Sequence, residues 1–310
     1  MLPPYSGCYI SRASRRRRAG AGRRRTTPEV EDLDIWFHEQ HGPGTFLGVK
    51  VKEVLYQRHT GLQDLAIVDT EDFGRALVLD GVLQTTERDE AFYHEMLAHV
   101  PLCSHPHPRR VLVIGGGDGG LVREVLRHPT VEEVTMVEID RGVVEACRDY
   151  LPTLSGALDD ERVKLVFQDG IEYVRQSPGG FDVILVDSTD PGGPSLGLFS
   201  RAFYQDCHRC LTADGFLVAQ TEEPFFRPHL MQNAYRTIAG VFPRTQLYLG
   251  MVPVYSAWYW TFTAGSKGGL DAAVVRSEVP GDTVCYTPAV HAGAFALPPF
   301  ITGQLTDPVR

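Results

Sequence analysis

A glycine-rich turn with an acid inside it is the most informative motif of the sequence. The run Val111-Leu-Val-Ile-Gly-Gly-Gly-Asp-Gly-Gly120 contains the spacing Gly115-x-Gly117-x-x-Gly120. In nucleotide-binding proteins such glycines permit a tight turn after a strand and a close approach of the backbone to the ligand. Because Asp118 would repel a pyrophosphate, the turn favours a cationic ligand with an adenosine body over a dinucleotide.

Acidic or amide side chains follow each of the later apolar runs. In chain order they are Glu138, Asp169, Asp187 with Asp190, and Gln220-Thr-Glu-Glu223. Ligands of open α/β sheets bind outside the carboxyl ends of the strands. If these runs are parallel strands, the acids and amides are therefore predicted to line one site together with the glycine turn.

Two of these acids suit a nucleoside. Glu138 lies at the distance beyond Gly120 at which a carboxylate accepts hydrogen bonds from ribose hydroxyls; the alternative is a helix N-cap. Asp169-Gly170 is predicted to hold an adenine amino group, although Asp-Gly is also a common turn. The order of the glycine turn and Glu138 in the chain favours the nucleoside interpretation.

The pair Asp187 and Asp190 suggests the chemistry. Both stand at the end of an apolar run and precede the Gly/Pro-rich segment 191–197, a pattern typical of a reaction site under a movable lid; the alternative is a loop with two solvated acids. The strand ends offer no cysteine nucleophile, serine elbow or metal-ligand set, so no metal is expected. A carboxylate there would accept the proton of an alkylammonium, whose pKa is about 10.4. The amine would then attack an adenosyl sulfonium held beside Asp118, which transfers an aminopropyl group.

The elements that must position these residues fall into two groups. Between Ile35 and Glu87, three short β-type runs separated by turn signals predict a small antiparallel β unit. A helix is expected over residues 89–100, with Phe92, Met96 and Val100 on its buried stripe, followed by a connector over residues 101–108. Beyond it, strands and helices alternate and predict a parallel sheet covered on both faces. Leu247-Tyr-Leu249 and the run Trp258–Thr263 are expected to form an antiparallel hairpin at the sheet edge.

Composition excludes several classes of protein. At 310 residues, with 43% apolar and 22% charged residues, the chain is typical of a globular protein, and no apolar run is long enough to span a bilayer. The formal net charge is −9, and eight arginines lie between Arg12 and Arg25, so the remainder carries −17. This negative charge on the remainder of the chain disfavours binding of nucleic acid and attracts cationic small molecules. Six scattered cysteines suit a reducing compartment such as the cytoplasm, and Cys207 and Cys210 are expected to be buried thiols in a helix.

Three parts of the chain are predicted: a tail over residues 1–28, a β domain with its linking helix over residues 29–100, and a catalytic domain over residues 101–310. The tail has no acid and is rich in Arg, Gly, Ser and Pro, a composition typical of disorder. An organelle transit peptide, a nucleic-acid-binding arm and an over-extended start of translation are the alternatives.

Several motifs in the same order resemble those of the spermidine synthase (polyamine aminopropyltransferase) family. They are the glycine turn, Val137-Glu-Ile-Asp140, Asp187-Ser-Thr-Asp-Pro191, Leu79-Asp-Gly-Val-Leu-Gln-Thr-Thr-Glu-Arg-Asp-Glu90 and the segment Tyr286–Pro298. The similarity runs from about Ile35 to Pro299. It implies a Rossmann-like, methyltransferase-type α/β sheet with a small N-terminal antiparallel β domain. It also implies that putrescine and decarboxylated S-adenosylmethionine, a co-substrate, give spermidine and 5′-methylthioadenosine without a further cofactor. A homodimer or homotetramer is expected.

The resemblance also implies roles for individual residues. Asp187 resembles the proton acceptor of the family, and Asp190 an anchor for the diamine. Tyr93 and Tyr255 resemble the tyrosines that position the attacking amine, and His94 stands where some members have glutamine. The remaining matches are to donor-binding positions: Gln63, Glu138, Asp169 and, as partner of the aminopropyl ammonium, Asp118.

One stretch departs from the family pattern and leaves the acceptor open. Where many members have Pro-x-Tyr-Pro-x-Gly, this chain has Pro253-Val-Tyr-Ser-Ala-Trp258, so the loop beside Tyr255 is expected to differ in shape because glycine permits backbone angles that tryptophan does not. Cadaverine, agmatine and a longer polyamine are alternatives to putrescine, and Glu222 with Glu223 would anchor a distal cation. An ordinary methyltransferase and a non-catalytic polyamine-binding protein are the rival functions.

Overall fold

The fold is given by a computed structural model that describes residues 34–42, 44–255, 257–278 and 281–306. Two subjects of the predictions above, the Arg-rich segment 1–28 and Ser256, lie outside these residues. Among the helices that the model describes, none is both long and apolar enough to cross a membrane.

The N-terminal part is a five-stranded antiparallel sheet whose strands neighbour one another in chain order. The strands are β1 (Ile35–Gly42), β2 (Thr45–His59), β3 (Asp64–Thr70), β4 (Gly74–Leu79) and β5 (Val82–Thr86). The three predicted runs are β2, β3 and β4. Between β4 and β5, Asp80 and Gly81 both have positive φ, 49° and 77°, as a tight two-residue hairpin turn requires. The predicted β domain is confirmed.

The second sheet has seven strands in the order β11-β12-β10-β9-β6-β7-β8. They are β6 (Arg110–Gly115), β7 (Glu133–Glu138), β8 (Val163–Phe167), β9 (Phe181–Asp187), β10 (Leu211–Gln220), β11 (Arg244–Met251) and β12 (Tyr259–Ser266). Strands β6 to β10 pair in parallel, while β12 and β11 form the predicted antiparallel hairpin at the edge. The strand order reverses between β6 and β9, the position at which open sheets of this kind bind ligands. The predicted Rossmann-like sheet is confirmed.

The apolar run of β6 is continuous because both faces of this sheet are covered. Val111 and Val113 belong to one hydrophobic core, and Leu112 and Ile114 belong to the core on the opposite face. Successive side chains of a strand point to opposite faces, so a strand between two layers of helices is apolar throughout. The sheet is thereby fixed between its helices, and its strand ends are held in place.

Nine α-helices are described. They are α1 (Glu90–Ser104), α2 (Gly120–Leu126), α3 (Arg141–Tyr150), α4 (Pro152–Ser155), α5 (Gly170–Gln176), α6 (Arg201–Cys210), α7 (Pro228–Ala239), α8 (Pro288–Ala294) and α9 (Pro299–Thr306). Side chains of α1 and α2 pack in the core on one face of the second sheet, and those of α5 and α6 in the core on the other. Cys207 and Cys210, in α6, are free and fully buried, which confirms the prediction for these thiols.

Helix α1 differs from its prediction in two ways. Phe92, expected on the buried stripe, is the one residue of α1 that is not buried. The helix packs against α2 on one side and against strands of the second sheet on the other, so it has no solvent-facing side from which a stripe could be told apart. It also continues through Pro101 to Ser104, so the predicted connector is shorter and the boundary expected at residue 100 falls within a helix.

Candidate active site

The glycine turn is hydrogen-bonded to the end of the neighbouring strand. Gly115 and Asp187 are paired residues of β6 and β9, and the backbone N–H of Gly116 donates to the carbonyl of Asp187 at 3.0 Å. A Cβ on Gly115, whose φ is 84°, would lie 2.0 Å from that carbonyl oxygen, and one on Gly117 would lie 3.1 Å from Oε2 of Glu138. Only glycine allows this close approach. The approach brings the glycine turn, Asp187 and Glu138 together.

The side chain of Asp187 keeps one oxygen free. The hydroxyl of Tyr93 donates to Oδ1 of Asp187 at 2.8 Å, whereas the buried Oδ2 has no hydrogen-bond partner among the described residues. Burial, together with the charge of Asp118, raises the pKa of Asp187 to about 6, although the nearby His94 opposes the rise. A carboxylate with this pKa is a better proton acceptor than a solvated aspartate.

An aromatic wall surrounds this carboxylate. The rings of Tyr93 and Tyr255 lie 6.0 Å apart, and Trp260 packs against Tyr255 with a centroid distance of 4.6 Å. The hydroxyl of Tyr255 donates to the carbonyl of Gln84 in β5, so the N-terminal sheet fixes the orientation of this tyrosine. Burial raises the pKa of both tyrosines well above the usual value, and they act as neutral walls with a polar edge.

Asp118 and His94 form a charged pair beside Asp187. Asp118 accepts the backbone N–H of Gly120 at 2.7 Å, and its Oδ1 lies 3.5 Å from Nε2 of His94. The other ring nitrogen of His94 is 2.6 Å from Glu90. Burial alone would lower the pKa of His94, but Asp118 and Glu90 together raise it to about 9. The imidazole is therefore cationic at neutral pH.

His94, Asp118 and Asp187 also bring three atoms of metal-ligand type within 4.8 Å of one another. A metal ligand must be a neutral imidazole with a free lone pair, and the pKa of about 9 keeps His94 protonated. A metal ion would therefore have to displace the proton of His94 before this cluster could bind it.

Glu138 lies beside the glycine turn and is not the N-cap of α3. Its Oε1 accepts the N–H of Asp140 at 2.8 Å, and Asp140 itself caps the helix by accepting the N–H of Gly142. Burial raises the pKa of Glu138 to about 7. Gln63, in the turn between β2 and β3, donates to Asp140 at 2.9 Å. The N-terminal sheet therefore contacts the loop that follows Glu138, and contact of Gln63 with a donor stays a prediction.

Asp169 has a structural role as a helix cap, whereas the alternative considered in the sequence was a simple Asp-Gly turn. It is exposed and caps α5 by accepting the N–H of Ile171 at 2.8 Å. Gly170 is buried, and a Cβ there would lie 2.6 Å from a methyl group of Ile114. The glycine permits α5 to begin against β6. Contact of Asp169 with an adenine stays a prediction.

The predicted acceptor-binding residues lie at the ends of β9 and β10. Gln220 donates to the carbonyl of Ser188 at 3.0 Å and accepts the N–H of Glu222 at 3.1 Å, which ties the two strand ends together. Glu222 is buried with a φ of 73°, a strained angle for a residue other than glycine. Burial and the charge of Asp190 raise the pKa of Glu222 well above its usual value.

Three residues near this end of the site were missed in the sequence. Arg227 donates to Oδ2 of Asp190 at 2.7 Å, and Glu39 and His41 of β1 lie close enough to both to be affected by their charges. One feature of the sequence could have indicated Arg227. It follows the end of β10, whereas acidic residues follow the ends of the earlier strands. Glu39 and His41 had none, because a strand of the other domain carries them.

Two family models together match most of the chain. Residues 90–274 match the model described as the spermine/spermidine synthase domain, and residues 35–87 match the model described as the spermidine synthase tetramerisation domain. The two matches meet between β5 and α1.

Curated relatives and solved structures agree with these matches. The polyamine aminopropyltransferase of Moorella thermoacetica is 50% identical over 275 residues, which are 88% of this chain and 97% of that protein. The enzyme of the same name from Caldicellulosiruptor bescii is 48% identical over 88% of this chain and 98% of its own length. A crystal structure of spermidine synthase in complex with the transition-state analogue AdoDATO has a TM-score of 0.84 and 41% identity, covering 91% of this chain and 98% of that one. Spermidine synthase from Thermotoga maritima superposes with a TM-score of 0.82 at 39% identity, covering 91% and 97%.

Matches of this extent and identity, on a fold of the expected class, show that the chain belongs to the spermine/spermidine synthase family.

Proposed function

We propose that the chain transfers the aminopropyl group of decarboxylated S-adenosylmethionine to putrescine, which gives spermidine and 5′-methylthioadenosine. Membership of the family and the names of the relatives support aminopropyl transfer. The observation that carries the site assignment is the free, buried Oδ2 of Asp187 beside the tyrosine wall.

Asp187 is the proton acceptor in this proposal. An alkylammonium with a pKa of about 10.4 is not a nucleophile at neutral pH, and burial among Tyr93 and Tyr255 lowers that pKa because it disfavours the charged form. The ammonium gives one proton to Oδ2 of Asp187. Its nitrogen lone pair then forms a bond to the carbon next to the sulfonium, and the C–S electron pair remains on sulfur as a neutral thioether.

The donor is held by the glycine turn and the acids around it. Asp118 faces the ammonium of the aminopropyl chain, and Glu138 accepts hydrogen bonds from the ribose. Gly115 and Gly117 let the backbone approach the nucleoside, while Gln63 and Asp169 stay predicted contacts. Intact S-adenosylmethionine carries a carboxylate near Asp118, so repulsion selects the decarboxylated form even though His94 offsets part of the charge.

The proposal uses no metal and no cofactor, since decarboxylated S-adenosylmethionine is a co-substrate.

We place the enzyme in the cytoplasm and expect a homodimer or homotetramer. The match of residues 35–87 to a domain described as a tetramerisation domain supports assembly through the N-terminal sheet. Light scattering of the purified protein measures the oligomeric state directly.

A panel of acceptors tests the function. The purified full chain is incubated with decarboxylated S-adenosylmethionine and, separately, putrescine, cadaverine, agmatine or spermidine, and the products are identified by mass. Putrescine should give the highest kcat/KM. Comparable turnover with intact S-adenosylmethionine would contradict the role of Asp118, and no transfer to any amine would contradict the function.

A further inference from the structure

A cation of the protein itself occupies the far end of the acceptor site. Nη1 of Arg227 lies 2.7 Å from Oδ2 of Asp190 and 3.3 Å from Oε1 of Glu222. In the sequence, Asp190 is the predicted anchor of the diamine, and Glu222, together with Glu223, is predicted to anchor a distal cation. The guanidinium bridges them as a guanidinium-bearing ligand would.

The backbone at Arg227 is fixed so that this position is held. The carboxylate of Glu223 accepts three consecutive N–H groups, from Phe225, Phe226 and Arg227, at 2.6, 2.8 and 2.5 Å. Helix α7 begins at the next residue, Pro228. These hydrogen bonds fix the backbone from which the side chain of Arg227 extends.

The subsite is partly buried: the side chains of Arg227 and Asp190 are about one-third exposed, whereas Glu222 is buried. The imidazole of His41 is only 4% exposed, and neither of its nitrogens has a hydrogen-bond partner among the described residues. The ring of Phe226 stacks on it with a centroid distance of 6.4 Å. Glu39 lies 3.5 Å from His41 and is also nearly buried. A third carboxylate, with the imidazole of His41 close to it, therefore stands beside the Asp190 and Glu222 pair.

We propose that Arg227 is a specificity-determining residue: its guanidinium fills the cation subsite formed by Asp190 and Glu222, and so limits the acceptor to a short diamine. The proposal rests on the function proposed above. An amine that ends in a guanidinium, or that continues to a third ammonium, would need the same carboxylates and would meet the positive charge of Arg227. Such like-charge contact is a common way of rejecting a competing ligand.

A short diamine does not meet this obstacle. The distal ammonium of putrescine is a compact cation, and the carboxylate of Glu39 stands beside Asp190 and Glu222. The subsite can therefore balance one more small cation while Arg227 stays in place. A guanidinium of the acceptor, by contrast, must displace the side chain.

The test compares Arg227→Ala with the wild-type full chain. Arg236→Ala, in α7 away from the site, is the matched control. For each protein kcat/KM is measured with putrescine, agmatine and spermidine, and folding is checked by thermal unfolding. The ratio of agmatine to putrescine should rise by about tenfold or more in Arg227→Ala, the change expected on removing one like charge from a partly buried site, and should stay unchanged in Arg236→Ala.

Free guanidinium supplies a second readout that a merely structural role would not produce. In Arg227→Ala, low-millimolar guanidinium chloride should inhibit agmatine turnover competitively while inhibiting the wild type much less. Arg227→Lys, which keeps the charge, covers the case in which the alanine variant does not fold, and it should keep the wild-type preference for putrescine over agmatine.

Two results would overturn the proposal. One is an agmatine-to-putrescine ratio that stays within about twofold of the wild-type value in a folded Arg227→Ala protein. The other is a wild type that already uses agmatine as well as putrescine. A wild type that transfers to no amine would instead reject the proposed function, so the two failures are distinguishable.

Discussion

The hydroxyl of Tyr93 donates a 2.8 Å hydrogen bond to one oxygen of the Asp187 carboxylate and leaves the other without a partner among the described residues. The hydrogen bond fixes the plane of the carboxylate, so the free Oδ2 has a defined direction. It also stabilises the ionised form, against burial, which raises the pKa to about 6. This one hydrogen bond therefore affects both the orientation and the pKa of the carboxylate that is the proposed base.

The pH dependence of the reaction should report this pKa. Asp187 accepts a proton only when ionised, so kcat/KM for putrescine should fall as the pH drops through about 6. In Tyr93→Phe the hydrogen bond that favours the ionised form is lost, and the acid limb should move to higher pH. In Tyr255→Phe it should not move, because that hydroxyl donates to Gln84. An acid limb near the pKa of a solvated aspartate would contradict the assignment.

Removal of the base should separate chemistry from binding. Asp187→Asn keeps the shape of the side chain but cannot accept a proton, so kcat should fall by about 10²–10⁴-fold. Binding of 5′-methylthioadenosine, measured by calorimetry, should stay within a few-fold of the wild type, since the proposed nucleoside contacts are Glu138 and the glycine turn. Activity close to that of the wild type would reject the proposed role.

Sequence reasoning succeeded where a local pattern determines the geometry. The glycine turn and Asp187 were expected to meet because parallel strand ends share one edge of a sheet, and Gly115 and Asp187 are indeed paired. The positive φ angles at Asp80 and Gly81 follow from a turn signal that acts within two residues.

It failed where packing between distant segments decides. Phe92 was misplaced because α1 is enclosed on both sides, which no periodicity reveals. Glu39 and His41 reach the acceptor end from another domain. Arg227 was recognisable in the sequence only as a basic residue near strand ends that otherwise carry acids. Its contacts with Asp190 and Glu222 depend on how two loops are folded.

His94 should stabilise the fold in a pH-dependent way. Its pKa is about 9 in the folded protein, against about 6.5 for a histidine in an unfolded chain. The stabilisation is therefore fully present below pH 6.5 and is lost as the pH rises through about 9, with a size on the order of 3 kcal/mol. His94→Gln, which removes the charge and keeps a polar side chain, should lower the free energy of unfolding at pH 6 and have much less effect above pH 9.

Urea denaturation at the two pH values measures this difference. The matched control is His59→Gln. It replaces an exposed histidine of β2 and should have little effect on stability at either pH. An equal loss of stability in His94→Gln at pH 6 and above pH 9 would show that packing, and not charge, is what His94 contributes.

The loop beside Tyr255 carries backbone strain that a glycine would relieve. The sequence predicted a changed loop where tryptophan replaces glycine, but Trp258 itself adopts a left-handed φ of 63°, after Ala257 at 59°. Such an angle costs a residue with a Cβ roughly 1–2 kcal/mol. The side chain of Trp258 is exposed, so little packing offsets this cost. Trp258→Gly should therefore be more stable than the wild type by about 1 kcal/mol.

Trp258→Ala separates strain from the loss of the indole, because it removes the ring but keeps the Cβ. In thermal unfolding, the Tm of the glycine variant should be about 2 °C higher than that of the alanine variant. Because Trp258 closes the loop by accepting the N–H of Val252 through its carbonyl, which glycine retains, Tyr255 should keep its contact with Gln84. The KM for putrescine should then be unchanged. An alanine variant as stable as the glycine variant would show that the left-handed angle at Trp258 carries no cost.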